Sequence, residues 1–306
     1  MKDISIVIVN YNVKQLLINC LHSIYSNSNG LDVEIIVIDN DSFDGSAEAI
    51  KEQFSDINLI ENKFNGGFSG ANNQGIQIAK GKYIFLLNPD TEIKEDALLK
   101  LFRYMENHSN VAIAAPQLLN SDGSLQISAW KNQSVFNMIL ETFYLHLLFK
   151  ITDYPVSFFN ATFNPDTLSG AALFFDKRLI EKIGGMDEQL FWMEDIDLCY
   201  RAERQGEIVY LQDSKVMHHS GQSSKKNYNV TLSNQLLSKL KFYKKHFNIL
   251  SVWLGNVFCF FLILSRIIVF TVISPFKEIW VLKAKAYRYS LNRFFRYLFL
   301  NDNSIL

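Results

Sequence analysis

Cysteine is scarce and scattered: Cys20, Cys199 and Cys259 are the three in 306 residues. No CxxC spacing occurs, so neither a zinc site nor a disulfide framework is indicated, and a reducing compartment is the simpler reading. Charge of either sign is not in excess. A formal net charge of −1 gives no global signature of a nucleic-acid binder. Two phosphate-binding loops are also missing. NYNVKQ stands where GxGxxG would follow a first strand, and GxxxxGK[ST] occurs nowhere. Phosphates, if bound, are therefore not held by a glycine loop on the first helix. No small-residue cleavage site follows the short apolar run in MKDISIVIVNYN. That run reads as a strand and not as a signal peptide, which places the first ~250 residues in the cytoplasm. No low-complexity linker and no internal repeat divides the chain.

What is present is a core. Hydrophobic residues make up 48% of the chain, enough for one or two domains. ISIVIV (4–9) is a β-branched run suited to a strand buried on both faces of a parallel sheet. Leu16, Leu17, Cys20, Leu21 and Ile24 follow at helical spacing. EIIVID (34–39), a short helix within DSFDGSAEAIKEQF, INLIEN (57–62), a helix from Ala71 to Lys80, KYIFLLN (82–88) and VAIAAP (111–116) continue the alternation. Such alternation predicts βαβ units and a mostly parallel sheet. A helix is expected over 136–149, a strand over 167–175, and a helix over 177–183 capped by Gly184-Gly185.

The strand ends carry polar residues: Asn10-Tyr11-Asn12, Asp39-Asn40, Asn62 and Asn88-Pro89-Asp90. Asn and Asp are ordinary turn residues. Four such ends together favour a ligand site, since open parallel sheets bind ligands beyond the carboxyl ends of their strands. A hard divalent cation needs oxygen ligands and can bridge a diphosphate, and Asp90 is the obvious candidate ligand. Further on, GMDEQLFWMEDIDLCYR (185–201) crowds five acids among apolar residues. If a helix starts near 192–194, Asp195, Cys199 and Ala202 share an inward face, while Asp197 and Arg201 pair at i, i+4 elsewhere. Asp187 and Glu188 fall on a loop surface or at the rim of a site. Asp195 is then either an N-cap or a functional carboxylate. Trp192 either stacks on a ligand or packs in the core.

Taken in order, SIVIVNYN, VIDNDSFDGS, NGGFSGANNQG, GKYIFLLNPDTEI, GGMDEQLFWMEDIDLCYR and HHSGQSS resemble the family-two inverting glycosyltransferases. They look most like the bacterial rhamnosyltransferase-type branch of surface-polysaccharide assembly. The resemblance covers roughly residues 3–247. It implies an α/β GT-A fold with a mostly parallel central sheet, followed here by C-terminal apolar and amphipathic helices. It also implies a catalytic domain over 1–248, with a nucleotide-binding half (1–116) and an acceptor-binding half (117–248), and a membrane-associating region over 249–306.

By the same resemblance Tyr11, Asn12 and Asp39 border the nucleotide, and Asn65, Gly67 and Asn73 lie near the diphosphate and sugar. Asp90 matches the last acid of a DxD metal motif whose first acid is replaced by Asn88. Asn keeps an oxygen and loses the charge. His218 matches a histidine that assists the metal or diphosphate, with His219 as a competing candidate. Asp195 matches the general base. The implied cofactor is Mg²⁺ or Mn²⁺, and the implied co-substrate a nucleotide-diphospho-sugar. The implied acceptor is a saccharide or lipid-linked saccharide.

Ser251–Ser274 contains no Asp, Glu or Lys and a single Arg, Arg266. As a helix it would be ~36 Å long, against ~30 Å of hydrocarbon. Fifteen of its residues are Leu, Ile, Phe or Val. They are worth about −5 to −9 kcal/mol on an insertion scale, with Arg266 costing ~3 kcal/mol if central. The alternative is a buried core helix or an oligomer contact. After Pro275, Trp280, Ala284, Tyr287, Leu291, Phe294 and Leu298 form an apolar stripe among Lys283, Lys285, Arg288, Arg293 and Arg296. A basic amphipathic helix reads as membrane-surface binding. Lys239, Lys241, Lys244 and Lys245 precede the apolar segment, so a single span would export a basic group against the positive-inside tendency. A re-entrant or in-plane attachment at the cytoplasmic face is expected, with a true span second. Two other functions compete with sugar transfer. A nucleotidyltransferase would need a basic loop near the first strand, where only Lys14 is found. A non-catalytic membrane scaffold is argued against by Asp90, Asp195 and His218 and kept open by Asn88.

Overall fold

The computed structural model describes residues 2–28, 30–149, 153–219 and 228–300. The N-terminal β-branched run forms β1 (Lys2–Asn10), buried from Ile4 to Asn10. β2 (Val33–Asp39) and β4 (Gly81–Leu87) flank it in parallel, and β3 (Asn58–Glu61) adds in parallel to β2. The connections are α1 (Lys14–Asn27), α2 (Ser46–Gln53) and α3 (Gly67–Ile78), the alternation the sequence predicts. Side chains alternate across a strand, so Ile4, Ile6 and Ile8 pack on α1 through Leu17 and Leu21, while Val7 and Val9 enter the opposite apolar layer. A strand buried on both faces must be apolar throughout, which is why the run lacks polar alternation.

The second half of the sheet departs from simple alternation. β6 (Val111–Leu119) and β11 (Glu207–His218) pair in parallel. β10 (Ala172–Asp176) inserts antiparallel between β4 and β6. The three-residue β5 (Thr91–Ile93) pairs antiparallel with the end of β11, and β7 (Leu125–Gln126) forms a hairpin on β6. The order is β3-β2-β1-β4-β10-β6-β11-β5. The strand expected over 167–175 is split. Thr167–Leu168 (β9) pairs with Ala129–Trp130 (β8) in a separate ribbon, and the chain leaves ladder geometry at 169–171 before β10. α4 (Ala97–Asn107) covers the layer containing β1's Ile residues, with Leu98 and Leu101 buried. α7 (Lys177–Ile183), capped by Gly184 as expected, and α8 (Glu194–Ala202) contribute to the other layer.

Two compact units are present: residues 1–131, 154–188 and 195–223, and residues 132–153, 189–194 and 224–306. The first unit holds the large sheet. In the second, the expected helix over 136–149 is interrupted: α5 (Val135–Thr142) and α6 (His146–Phe149) are separated by a turn in which Tyr144 has φ +59°. α9 (Tyr228–His246), α10 (Ile249–Ile273) and α11 (Glu278–Leu300) complete the unit.

α11 folds back along α10. Trp280 stacks on Phe270 at 5.4 Å, Tyr287 lies 5.7 Å from the same ring, and Phe294 meets Phe260. Part of the stripe that reads from sequence as membrane-facing is thus packed on α10, which offers aromatic rings of its own, while Leu298 stays exposed. Apolar groups remain exposed on both helices, among them Trp253, Phe261 and Ile268 on α10 and Ile279, Leu282 and Phe299 on α11. Arg266 is 7% exposed. Its Nη2 donates to the Glu141 carbonyl at 2.6 Å and its guanidinium lies 3.4 Å from the Tyr144 ring centroid. The one charge on the apolar helix is thus accommodated inside the protein. Among the described residues, Ile249–Phe276 is the one helix long and apolar enough to cross a membrane, and most of it is not buried within the protein. A core helix would be mostly covered.

Candidate active site

The carboxyl ends of the parallel strands converge on one edge. At the end of β1 the buried Asn10 donates through Nδ2 to Asp39 Oδ1 at 2.7 Å and to Ser42 Oγ at 3.0 Å. Asp39, at the end of β2, is 3% exposed, and its Oδ2 accepts from the Ser42 N–H at 2.9 Å. Asn12 has φ +55°, and its side-chain oxygen accepts from the Phe43 N–H at 2.9 Å. Tyr11 beside it is exposed. Asn12 and Asp39 therefore belong to one hydrogen-bonded rim, linked through Ser42, with Tyr11 exposed beside it. Asn10 and Ser42 tie that rim together; the sequence marks Asn10 as a polar strand end and does not single out Ser42.

The Asn65–Gly67 turn is organised by Asn40, which the sequence marks as a polar strand end without giving it this role. Asn40 is 2% exposed and donates to Asn65 Oδ1 at 3.2 Å and to the Gly67 carbonyl at 3.1 Å, while its Oδ1 accepts from Asn62. Gly67 opens α3 with φ +78°, a conformation that costs glycine little. Asn73 sits further along α3. Its amide brackets the Met186 backbone, accepting from the N–H and donating to the carbonyl, each at 2.9 Å, and donates to Glu188 Oε1 at 3.0 Å. Its side chain holds the 186–188 loop.

The end of β4 carries Asn88 and Asp90. Asn88 Oδ1 is buried and has no hydrogen-bond partner among the described residues. Pairing of β5 with β11 sets His218 opposite Thr91, and the His219 N–H donates to the Asp90 carbonyl at 2.8 Å. His218 Nε2 thereby lies 3.3 Å from Asp90 Oδ1. His219 is engaged elsewhere, with Nε2 at 3.0 Å from Glu92 Oε1 and Nδ1 at 2.7 Å from Ser121 Oγ. The remainder of the HHSGQSS motif, 220–224, lies outside the described residues. No group of three or more His, Cys, Asp or Glu side chains suited to a metal occurs among the described residues. A cation bound at Asp90 and His218 would thus take further ligands from amide oxygen, water or a diphosphate.

Asp195 is the second residue of α8. Its Oδ2 accepts from the Gly170 N–H and its Oδ1 from the Ile196 N–H, both at 2.8 Å. An N-cap side chain accepts from an N–H two or three residues ahead, so the cap reading does not describe Asp195. Loss of hydration raises its pKa above the ordinary aspartate value, while the two N–H donors act in the opposite direction. Gly170 approaches closely: a Cβ there would stand 3.2 Å from Asp195 Cβ. The next residue, Ala171, accepts from the Asn88 N–H at 2.9 Å. Two adjacent residues therefore connect the carboxylate on α8 with the polar end of β4. Asp197 is fully buried and bonded to Arg201 Nε at 2.8 Å. Arg201 also donates to the carbonyls of Ile183 at 2.6 Å and Gly185 at 2.8 Å, which fastens α8 to the turn before the 186–188 loop. Trp192 is 52% exposed with φ +64°, so it does not pack in the core.

An α/β sheet with its polar strand ends gathered beside a shielded carboxylate is the architecture of a GT-A-type transferase. Residues 5–170 match the Glycosyl transferase family 2 profile. The Low-salt glycan biosynthesis hexosyltransferase Agl10 of Haloferax volcanii is 29% identical over 66% of this chain and 62% of its own length. The N-acetylglucosaminyl-diphospho-decaprenol L-rhamnosyltransferase of Mycobacterium tuberculosis is 24% identical over 63% of this chain and 68% of its own. Among solved structures, a Pyrobaculum calidifontis mannosyltransferase in complex with GDP-Man and Mn²⁺ superposes with TM-score 0.59 at 14% identity, covering 99% of this chain and 90% of that one. Staphylococcus aureus TarS 1–349 gives 0.53 at 14% identity, covering 96% and 91%. The chain belongs to glycosyltransferase family 2.

Proposed function

We propose that the enzyme transfers a sugar, with inversion, from a nucleotide-diphosphate donor to a saccharide or lipid-linked saccharide at the cytoplasmic face of a membrane. The observation that carries this reading is Asp195: a shielded carboxylate with raised proton affinity, oriented by two backbone N–H groups, in the same compact unit as Asp39, Asp90 and His218. An acceptor hydroxyl attacking an anomeric carbon must lose its proton as the bond forms. Asp195 accepts that proton, a role typically worth ~10²–10⁴ in rate. One base suffices for single displacement. The paired-carboxylate arrangement of glycoside hydrolysis is not needed.

The residues at the end of β4 fit a divalent cation. Asp90 supplies a carboxylate, His218 a ring nitrogen 3.3 Å away, and Asn88 an amide oxygen that no described residue satisfies. When bound there, Mg²⁺ or Mn²⁺ supplies positive charge for the leaving diphosphate. Tyr11, Asn12 and Asp39 border the base and ribose. Asn65 and Gly67 present the α3 entrance to the diphosphate and sugar, and Asn73 braces the loop opposite. Rhamnose as the transferred sugar, and a lipid-linked saccharide as its acceptor, follow the mycobacterial relative's name; surface polysaccharide as the destination follows the sequence resemblance alone. The exposed apolar groups of α10 and α11, with the basic residues around them, support in-plane attachment where a lipid-linked acceptor resides. Screening purified protein against nucleotide sugars with Mg²⁺ or Mn²⁺, and scoring nucleotide diphosphate release, tests the reading. Silence across UDP-, GDP- and dTDP-sugars with saccharide and polyprenyl-diphosphate acceptors would defeat it.

A further inference from the structure

We infer that Gln126 and Asn120 are positioning residues that fix which ring nitrogen of His218 carries hydrogen, and so present Nε2 toward Asp90. The inference rests on the reading of His218 and Asp90 as the cation-binding pair. It comes from hydrogen-bond direction. Asn120 Nδ2 donates to the Leu125 carbonyl at 3.3 Å and to Ser124 Oγ at 2.9 Å. A backbone carbonyl can only accept, so it fixes the orientation of the Asn120 amide. Asn120 Oδ1 then faces Gln126 and accepts from Gln126 Nε2 at 2.9 Å. The same Nε2 donates to the His218 carbonyl at 3.4 Å, a second acceptor. Gln126 Oε1 is therefore the atom that meets His218 Nδ1, at 2.7 Å. Because Oε1 can only accept, Nδ1 must donate. Three directional bonds thus run from a main-chain carbonyl to the imidazole, and each fixes the next.

The consequence falls on the other nitrogen. With Nδ1–H committed, neutral His218 presents the Nε2 lone pair, and that atom stands 3.3 Å from Asp90 Oδ1. Two acceptors at that separation repel unless a metal cation lies against both or a proton lies between them. This is the arrangement by which outer hydrogen bonds orient histidine ligands in metal sites. The hairpin is built to hold it. The Asn120 N–H donates to the Ser124 carbonyl and the Gly123 N–H to the Asn120 carbonyl, each at 2.8 Å, with Gly123 at φ +82°. β7 then pairs Gln126 with Leu118 on β6. His219 has no such relay: its two nitrogens meet a serine hydroxyl and a carboxylate.

The test uses the full chain in detergent with ¹⁵N-labelled histidine, at a pH where the imidazoles are neutral. His218 is assigned by its loss in His218→Ala. Two-bond ¹⁵N–¹H couplings report the tautomer without metal, and Mn²⁺ binding is followed by electron paramagnetic resonance. The wild type should show the Nδ1–H tautomer at His218. Gln126→Leu should give a mixed or Nε2–H pattern and lower Mn²⁺ affinity about tenfold, at the lower end of the usual effect of removing such a partner. Gln126→Glu keeps an acceptor against Nδ1–H and should restore the tautomer and most of the affinity. An Nε2–H tautomer in the wild type, or an unchanged Nδ1–H pattern in Gln126→Leu, would overturn the relay. If instead His218→Ala left Mn²⁺ binding untouched, the cation reading would fall, while the tautomer measurements would still decide the relay.

Discussion

Gly170 donates its main-chain N–H to Asp195 Oδ2 at 2.8 Å across 25 residues of sequence. The contact needs a residue without a side chain, because a Cβ at 170 would press on Asp195 Cβ at 3.2 Å and on Oδ2 at 3.4 Å. No left-handed backbone is involved, so Gly170→Ala should fold and simply displace the carboxylate by a few tenths of an ångström. Since ångström-scale misplacement of a catalytic group can cost ~10²-fold, kcat should fall roughly tenfold with little change in donor KM. Steady-state kinetics against a native-like melting curve decide this. An undiminished kcat would mean that the approach of Gly170 does not aim Asp195.

The environment of Asp195 also sets a pH dependence. A general base must be ionised. Burial holds the proton on Asp195 to higher pH than the ordinary 3.8, so kcat/KM should decline on the acid side through a pKa above that value. Weakening the Gly170 bond removes a donor that favours the charged form, so Gly170→Ala should move this limb further up. Asp195→Asn keeps the shape and cannot take a proton. It should lose ~10²–10⁴ in turnover while binding donor normally. A variant with most of its turnover left would exclude Asp195 as the base.

The strand ends separate two histidines that the sequence leaves adjacent. Asp90→Ala should weaken binding of a Mn²⁺–nucleotide complex more than that of the nucleotide alone, and His218→Ala should do the same to a smaller degree. His219→Ala should have little effect, since His219 bonds to Glu92 and Ser121. Calorimetric titrations with and without Mn²⁺ give the ranking, and a larger loss at His219 than at His218 would reverse the assignment.

How much of this was legible follows from the physics of each element. Strands buried on both faces announce themselves as β-branched runs, so β1, β2 and β4 and the polar residues at their ends could be read directly. β5 has three residues and no period to detect, yet its pairing with β11 is what brings His218 to Asp90. β11 mixes buried and exposed positions along twelve residues and gives no clean alternation. Gly170 acts through a main-chain N–H, which every residue but proline has, so composition cannot mark it. Asn40 and Asn10 resemble the turn asparagines around them until their partners are known. The α11 stripe was visible, but periodicity does not say whether a helix face meets lipid or a neighbouring helix. Here it meets Phe260 and Phe270.

Arg201 joins Asp197 to the 183–185 turn, and Asp197 has no exposed side-chain surface. Removing one partner of a buried ion pair typically costs ~3–5 kcal/mol, far more than the pair adds over an apolar substitute. Arg201→Ala should therefore destabilise the fold by about that amount in urea unfolding. Arg201→Lys keeps charge and loses the planar fork that reaches several carbonyls, so it should fall between. A change under ~1 kcal/mol in Arg201→Ala would show that Asp197 does not depend on the guanidinium.

The attachment of the second unit is open to a direct measurement. If α10 crossed a bilayer alone, α11 would have to leave it, yet Trp280, Tyr287 and Phe294 bind it to α10 along much of its length. A paired hairpin that carries Lys277, Lys285 and Arg296 exposed fits the interface plane better than the hydrocarbon interior. Near an anionic surface each basic residue contributes about 1 kcal/mol. Lys277→Gln with Lys285→Gln should therefore weaken flotation with phosphatidylserine vesicles roughly 30-fold and leave binding to neutral vesicles unchanged. A cysteine placed at residue 298, in a chain with Cys20, Cys199 and Cys259 replaced, should resist an impermeant thiol reagent in intact cells. Labelling from outside would mean that α10 spans the bilayer, and then the pairing of α11 with α10 could not persist in the membrane.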